Sequence, residues 1–228
     1  MLLWSILLLL SLYHHQSTST STSTGLGQET NSTRAGRLFS LFTIVQFPNL
    51  RCTSSSSSAT YGTCVTSSEC TAKGGTGDGN CAAGFGVCCV VFTTTCGASV
   101  TSNTSYIRNP GYPSTYTPAT TGACVFTVSK ISEDICQLRL DFQTMSGYSR
   151  VAAGTAPEGT CTDSFTALGK TGKSLPSICG TNTDYHMYVE FGAAAADTIT
   201  LTNTLGSTTS TLKWNILAQQ ISCSASSR

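Results

Sequence analysis

Short stretches of alternating apolar and polar residues recur along the second half of this 228-residue chain. In the segment 136–142, every even-numbered residue is apolar or cysteine and every odd-numbered residue is polar, as a half-buried β-strand requires. Comparable strand-like stretches lie at 123–128, 186–191, 198–202 and 211–216. Turn residues separate these stretches and none has a helical period. The pattern therefore predicts an all-β protein built around one β-sandwich rather than a βαβ fold.

The N-terminal third has a different pattern. Residues 1–13 form an apolar run that is too short to cross a bilayer and is followed at once by polar sequence, which predicts a signal peptide over 1–16, with an uncleaved anchor as the alternative. Residues 17–36 are a Ser/Thr-rich linker with nothing to bury, either a plain spacer or an O-glycosylated segment. The apolar connecting segment 37–51 is expected to pack against the neighbouring module, with an exposed lipid- or partner-binding segment as the alternative.

Composition narrows the class of partner. Only 10% of the residues are charged and the formal net charge is +1, so the chain lacks the basic field that nucleic acid or anionic lipid requires. No later segment is long and apolar enough to span a bilayer. We therefore expect a secreted, extracellular protein with no nucleic-acid partner and no membrane span in the mature chain.

The twelve cysteines form two groups of six, at 52–89 and 96–223. Even counts with different spacings predict two separately disulfide-bonded modules in an oxidising compartment. The first segment has few large apolar side chains, so three disulfides are the expected source of its stability. Zinc is the weaker alternative, because CxxC pairs and nearby histidines are absent. The cysteine count alone leaves fifteen possible pairings of this group.

The first group has the spacing C-x11-C-x5-C-x10-C-x6-CC. With its closing Cys88-Cys89 doublet after the residues 84–87, it resembles the clip domain that precedes arthropod serine proteases. The resemblance covers the segment 52–89. It implies the disulfides Cys52–Cys88, Cys64–Cys81 and Cys70–Cys89.

The second group lies in a segment with a more specific signature. Cys96-Gly97, the sequence YIRNPGYPSTY at 106–116 and CVFTV at 124–128 resemble the opening of a CUB domain. The resemblance extends over 96–223 and implies a jelly-roll-like antiparallel β-sandwich with the disulfides Cys96–Cys124 and Cys161–Cys179. Residues 135–142, 186–188 and 214–216 resemble an arthropod CUB variant, and we expect its two further cysteines to form Cys136–Cys223.

Many CUB domains bind calcium through one Glu and two Asp residues, so the resemblance raises the question of a metal. Asp163 fits one of these positions, but the stretch 147–150 has no carboxylate and Glu158 is out of register. Asp184 and Asp197 are possible second acids. We expect no cofactor, with Asp163 and Asp184 as weak calcium candidates; the alternative is that Asp163 is a turn residue that accepts local hydrogen bonds.

Catalytic signatures are also missing. After the predicted signal peptide, the chain has one histidine, His186, and it has neither a Gly-Asp-Ser-Gly sequence nor an H-E-x-x-H motif. We expect a non-enzymatic recognition protein that binds an extracellular protein or a glycan. The alternatives are a regulator of clip-protease cascades without a catalytic domain, and a structural component of cuticle or another matrix.

Two kinds of surface site are predicted. The loop end with Tyr148, Arg150, Asp163 and Tyr185 is the candidate binding surface, because loops commonly carry function and Tyr and Arg are good anchors. Asn31 and Asn103 begin acceptable N-glycosylation sequons. Both asparagines are expected to face solvent.

Overall fold

The computed structural model describes residues 45–155, 157, 159–169 and 175–225. The predicted signal peptide, the linker 17–36, Asn31, Glu158 and residues 37–44 lie outside them. Within the described residues, no helix has the length and apolarity to cross a membrane. The elements are β1 (Arg51–Thr53), β2 (Tyr61–Val65), α1 (Ser67–Ala72), β3 (Thr76–Cys81), a short 3-10 helix (Ala82–Gly84), β4 (Gly86–Val90), β5 (Phe92–Thr93), β6 (Ser99–Val100), β7 (Thr104–Arg108), β8 (Gly122–Ser129), β9 (Ile135–Ser146), β10 (Ser164–Leu168), β11 (His186–Glu190), β12 (Thr198–Leu205) and β13 (Lys213–Ser222).

The predicted all-β class and its β-sandwich are confirmed. One sheet has the strand order β10-β12-β8-β6 and the other has the order β11-β9-β13-β7-β5. Neighbouring strands are antiparallel except for β5 with β7 and β6 with β8, which are parallel. All five strand-like stretches of the sequence coincide with strands, β8, β9, β11, β12 and β13, whereas β7 and β10 were not predicted as strands.

The alternation of side chains places the core between the two sheets. Along β12, every second residue is buried, because successive side chains of a strand point to opposite faces. Phe126, Leu138 and Trp214 are completely buried in one continuous apolar cluster. Burial of this apolar surface is the main stabilising contribution to the fold.

The N-terminal module, residues 45–91, is a small sheet of order β1-β2-β4-β3 with α1 beside it. The Thr66 hydroxyl caps α1 by accepting a hydrogen bond from the Glu69 N–H at 3.2 Å. The buried apolar cluster around Val65 is small, so the cross-links account for much of the stability of this module. Its disulfides are Cys52–Cys88, Cys64–Cys81 and Cys70–Cys89.

The β-sandwich contains the other three disulfides, Cys96–Cys124, Cys136–Cys223 and Cys161–Cys179. All six pairs are those that the two resemblances imply. No bridge joins the first group to the second, and none of the twelve cysteines, all within the described ranges, is a free thiol. Each group of cysteines therefore forms disulfides only within itself.

The N-terminal module nevertheless packs against the outer face of the five-stranded sheet. Val90, Tyr106 and Leu217 form a buried cluster between them, with Tyr61 against it. The Tyr61 N–H donates to the Tyr106 hydroxyl at 2.8 Å, and this burial raises the pKa of Tyr106. We call this contact the module joint. It leaves the β9 and β11 half of the same face uncovered.

Candidate functional site

The structure separates the four predicted binding residues into two pairs. Tyr148 is only 2% exposed and Asp163 is completely buried, so neither is available to a partner; this part of the predicted surface is wrong. Arg150 is exposed, and its backbone forms an isolated antiparallel β-bridge with that of Cys161. Tyr185 is 68% exposed and immediately precedes β11.

Asp163 organises the loop end from inside. One carboxylate oxygen accepts the N–H groups of Gly206 at 2.8 Å and Ser207 at 3.2 Å. The other accepts the Ser149 N–H at 3.3 Å and the hydroxyls of Ser149 and Ser210. Burial opposes ionisation, but these hydrogen bonds outweigh it and lower the pKa of Asp163. The carboxylate therefore holds the β9–β10 connection against the β12–β13 loop.

Tyr148 has a similar internal role. Its hydroxyl donates to the side-chain oxygen of Asn203 at 2.5 Å, and its ring lies 6.4 Å from that of Trp214. Burial, followed by the negative charge of Asp163, raises the pKa of Tyr148 well above its ordinary value. The tyrosine is thus a neutral part of the core.

The calcium candidates do not form a fitting donor set. Both oxygens of Asp163 already accept hydrogen bonds, and Asp184 is exposed on a turn of positive φ. Asp197 is buried and accepts the Ala194 N–H at 2.9 Å. Among the described residues, no three His, Cys, Asp or Glu side chains converge to hold a metal. A calcium ion requires several converging oxygen ligands, and these residues do not supply them.

Asn103 also differs from expectation. Its side-chain nitrogen donates to the Asn49 carbonyl at 3.3 Å, and its side-chain oxygen is buried without a hydrogen-bond partner in the part of the chain that the structure describes. The residue is half-buried beside the module joint. Asn103 therefore faces solvent only in part, and its glycosylation stays a prediction.

A polar and aromatic cluster occupies the uncovered part of the five-stranded sheet. Register places Arg139 of β9 opposite Tyr188 of β11. The Arg139 guanidinium forms a bidentate pair with Asp141, with Nε to Oδ2 at 3.0 Å and Nη2 to Oδ1 at 2.7 Å. Its Nη1 also donates to the Tyr188 hydroxyl at 3.0 Å. The hydrogen bonds to Asp141 are the main reason that the pKa of Arg139 is raised. The exposed rings of His186 and Tyr188 lie on the same face of β11 and complete the cluster, and the exposed Tyr185 immediately precedes this strand. We call this surface the β11 edge.

A groove of about 650 Å³ lies between the β11 edge and residues 48–51 of the N-terminal module. Arg51 and Gln219 line it next to Arg139 and Tyr188. The Arg51 guanidinium donates to the Gln219 side-chain oxygen at 2.9 Å and lies 3.6 Å from the centroid of the Tyr61 ring. The uncovered face is thus continuous with polar atoms of the N-terminal module.

Sequence alternation assigned Arg139 and Asp141 to the outer face, but it did not place them beside Tyr188. Strand register makes this contact, because β9 and β11 pair antiparallel with Arg139 opposite Tyr188. The alternation of His186 and Tyr188 along one strand was the signal for this surface.

Comparison with known proteins finds no matching family model and no matching curated protein. Among solved structures, the chain is similar to the CUB1-EGF-CUB2 domain of human MASP-1/3, with 16% identity, a TM-score of 0.43, and coverage of 58% of this chain and 44% of that one. It is similar to the full extracellular region of zebrafish Gpr126/Adgrg6, with 16% identity, a TM-score of 0.40, and coverage of 57% and 15%. It is also similar to the MASP-1 CUB2 domain bound to Ca²⁺, with 18% identity, a TM-score of 0.39, and coverage of 54% and 98%. The matched part spans less than two thirds of the first two chains.

Proposed function

We propose that this chain is a secreted, non-enzymatic recognition protein. Its segment 96–223 is a CUB domain of arthropod type and its segment 52–89 is a clip-like module. The NPGYP-containing motif, the β-sandwich and the disulfide pairing support this assignment. Six closed disulfides suit an oxidising extracellular compartment.

The β11 edge carries the functional proposal. Exposed Tyr185 and Tyr188 provide large contact areas at low conformational cost, and Tyr and Arg are enriched among residues that dominate binding energy. Asp141 and the Tyr188 hydroxyl hold Arg139 in one orientation, which reduces the entropy lost on binding. We infer that this edge binds an extracellular protein or a glycan.

A binding role suits the chemistry of the chain better than catalysis. All cysteines are oxidised, which leaves no thiolate nucleophile. The carboxylate of Asp163 is completely buried, and both of its oxygens already accept hydrogen bonds from the surrounding loops. His186 lies on the exposed edge, where its ring packs against Tyr188 at 5.6 Å.

The test uses the full secreted chain as an affinity reagent in native extracellular fluid and on a glycan array. Partners or glycans identified in this way are then titrated against the variant Tyr185→Ala/Tyr188→Ala. We expect at least about tenfold weaker binding, since losing two interface tyrosines commonly costs more than about 1.4 kcal/mol.

The matched control is Phe85→Ala, which removes another exposed aromatic ring, 61% exposed on the N-terminal module. It should leave the affinity unchanged. Full affinity of the double variant for every identified partner would contradict the assignment of the β11 edge.

A further inference from the structure

A second surface cluster lies where β7 ends, on residues of β5, β7, β13 and the 109–116 loop. The guanidinium carbon of Arg108 is 3.8 Å from the ring centroid of Phe92 and 4.6 Å from that of Tyr112. The Lys213 ammonium lies 5.7 Å from the Tyr112 centroid. We call these four residues the Arg108 cluster. Phe92 is 41% exposed and the other three are half-buried.

The loop that carries Tyr112 is fixed from below by Asn109. This asparagine is completely buried, and its amide nitrogen donates to the carbonyls of Pro110 and Ser114, each at 2.9 Å. Its side-chain oxygen accepts the Trp214 N–H at 3.0 Å. The NPGYP motif thus holds the Tyr112 ring in place before any ligand arrives.

Arg108 itself is held at one nitrogen only. Its Nε donates to the side-chain oxygen of Asn215 at 3.0 Å. A guanidinium has five N–H donors, and within the described ranges no protein acceptor receives the other four from Arg108. The Phe92 and Tyr112 rings pack against the guanidinium, and the N–H groups of its two terminal nitrogens are available to a ligand.

Among the described residues, no carboxylate forms an ion pair with either cation of the cluster. The ion pairs of the described residues are Lys73–Glu69 and Arg139–Asp141, and neither involves Arg108 or Lys213. Burial is the main reason that the pKa of Arg108 is lowered, so its charge is partly desolvated without compensation. The two cations lie within about 10 Å of each other, roughly one Debye length, and both favour an anionic ligand.

We propose that the Arg108 cluster binds the carboxylate of an Asp or Glu side chain from an extracellular protein partner. The terminal N–H groups of Arg108 form the bidentate pair, because the planar guanidinium matches carboxylate geometry. Lys213 adds a second positive charge, and Phe92 and Tyr112 supply apolar contact to the residues around the acidic side chain.

A single carboxylate fits this surface better than a sulfated polysaccharide does. A polyanion binds along a row of cations and gains from each of them, whereas this cluster offers two cations, of which Arg108 lies between aromatic rings and Lys213 beside one. Arginine surrounded by aromatic side chains is typical of the centre of a protein–protein contact. The cluster shares no residue with the β11 edge, so the two surfaces are tested separately.

The experiment follows the Nε–H resonances of the full chain by NMR at constant ionic strength. The probe is N-acetyl-glutamate N-methylamide, and its matched neutral control is the glutamine analogue. We expect a saturable shift of the Arg108 resonance with the glutamate probe alone, with a dissociation constant in roughly the millimolar range.

Variants distinguish a guanidinium site from general positive charge. Arg108→Lys keeps the charge but loses the bidentate geometry and should weaken binding by at least about tenfold. Lys213→Gln leaves the ring stack of Arg108 intact and should weaken binding about threefold. Arg150→Gln removes an exposed arginine elsewhere and should have no effect. The backbone amide spectrum of each variant verifies that it is folded, and the amide shifts of Tyr112 and Lys213 report binding by Arg108→Lys, which has no arginine resonance at this site.

Three results would overturn the proposal. The first is an equal shift with the glutamate and glutamine probes. The second is unchanged glutamate binding by folded Arg108→Lys. The third is binding of a heparin-derived sulfated disaccharide at this cluster without binding of the glutamate probe, which would make it a sulfated-glycan site. Testing Tyr185→Ala/Tyr188→Ala with the glutamate probe separates failure here from failure at the β11 edge, because that variant should bind it normally.

Discussion

Replacing Asp163 by asparagine tests whether this buried carboxylate is a structural anchor. One carboxylate oxygen accepts two backbone N–H groups, from Gly206 and Ser207, which cannot reorient. The other accepts two serine hydroxyls, which can rotate to become acceptors, and the Ser149 N–H, which cannot. The introduced amide is best placed with its oxygen toward Gly206, and this leaves the Ser149 N–H facing an NH₂ group.

The expected loss follows from these contacts. Hydrogen bonds to a charged group contribute about 1.5–3 kcal/mol, and an unsatisfied buried donor costs about 1–3 kcal/mol. Since two of the five donors keep an acceptor and the hydroxyls can rotate, we expect Asp163→Asn to lower the free energy of unfolding by about 2–4 kcal/mol. Chemical denaturation measures this change. Asp184→Asn, on an exposed turn, is the control and should change it by less than about 0.5 kcal/mol.

The pH dependence has a definite sign. The pKa of Asp163 is lower in the folded protein than in the unfolded chain, where it is about 3.9. Its stabilising contribution is therefore complete above that pH and is lost as the pH falls through the folded-state pKa. The difference in stability between the wild type and Asp163→Asn should shrink over this acidic range.

Two outcomes would refute this reasoning. One is an Asp163→Asn variant as stable as the wild type. The other is a rise in melting temperature of the wild type with millimolar calcium that Asp163→Asn abolishes, because an ion that binds the folded state stabilises it. That result would make the carboxylate a metal ligand.

Three further predictions concern the cross-links and the module joint. The variant Cys136→Ala/Cys223→Ala removes the disulfide that closes an 87-residue loop. It should lower the free energy of unfolding by about 4–5 kcal/mol in the chain-entropy model and should increase hydrogen exchange first at the end of β13. A loss below about 1 kcal/mol would contradict this prediction. Tyr106→Phe removes the hydroxyl that accepts the Tyr61 N–H and should lower the free energy of unfolding by about 1–2 kcal/mol, measured by denaturation. Tyr61→Phe keeps that hydrogen bond and serves as the control. The Asp78 carboxylate accepts hydrogen bonds from three serine hydroxyls, and these are the main reason that its pKa is lowered. Asp78→Asn should therefore increase hydrogen exchange in the serine loop before β2. Unchanged exchange would contradict this role.

Local pattern was sufficient for much of the fold. The alternation in 136–142 and 198–202 predicted β9 and β12, because a half-buried strand must place apolar side chains on one face. The short strands of the N-terminal module were not predicted, since disulfides and turns, rather than apolar alternation, define them. Strands such as β1 and β3 contain too few large apolar residues to show an alternation of apolar and polar positions.

The candidate site was harder to predict because its contacts are distant in sequence. Tyr148 was assigned to the surface from its loop context, but Asn203, 55 residues away, accepts its hydrogen bond inside the core. The same holds for Arg108, whose ring partner Phe92 belongs to the segment between the two cysteine groups. Residue type identified good anchors, whereas only strand register and tertiary packing decide which of them reach the surface.

The segment 92–100, which begins between the two cysteine groups and runs past Cys96, contributes to both layers of the β-sandwich. Phe92–Thr93 extends the five-stranded sheet beside β7, and Ser99–Val100 extends the four-stranded sheet beside β8. Backbone pairing of this kind removes the freedom of a hinge. A partner that engages the N-terminal module and the sheet together therefore meets two contact points at a preset spacing. The second contact then forms at a high effective concentration without the entropy penalty of a flexible tether.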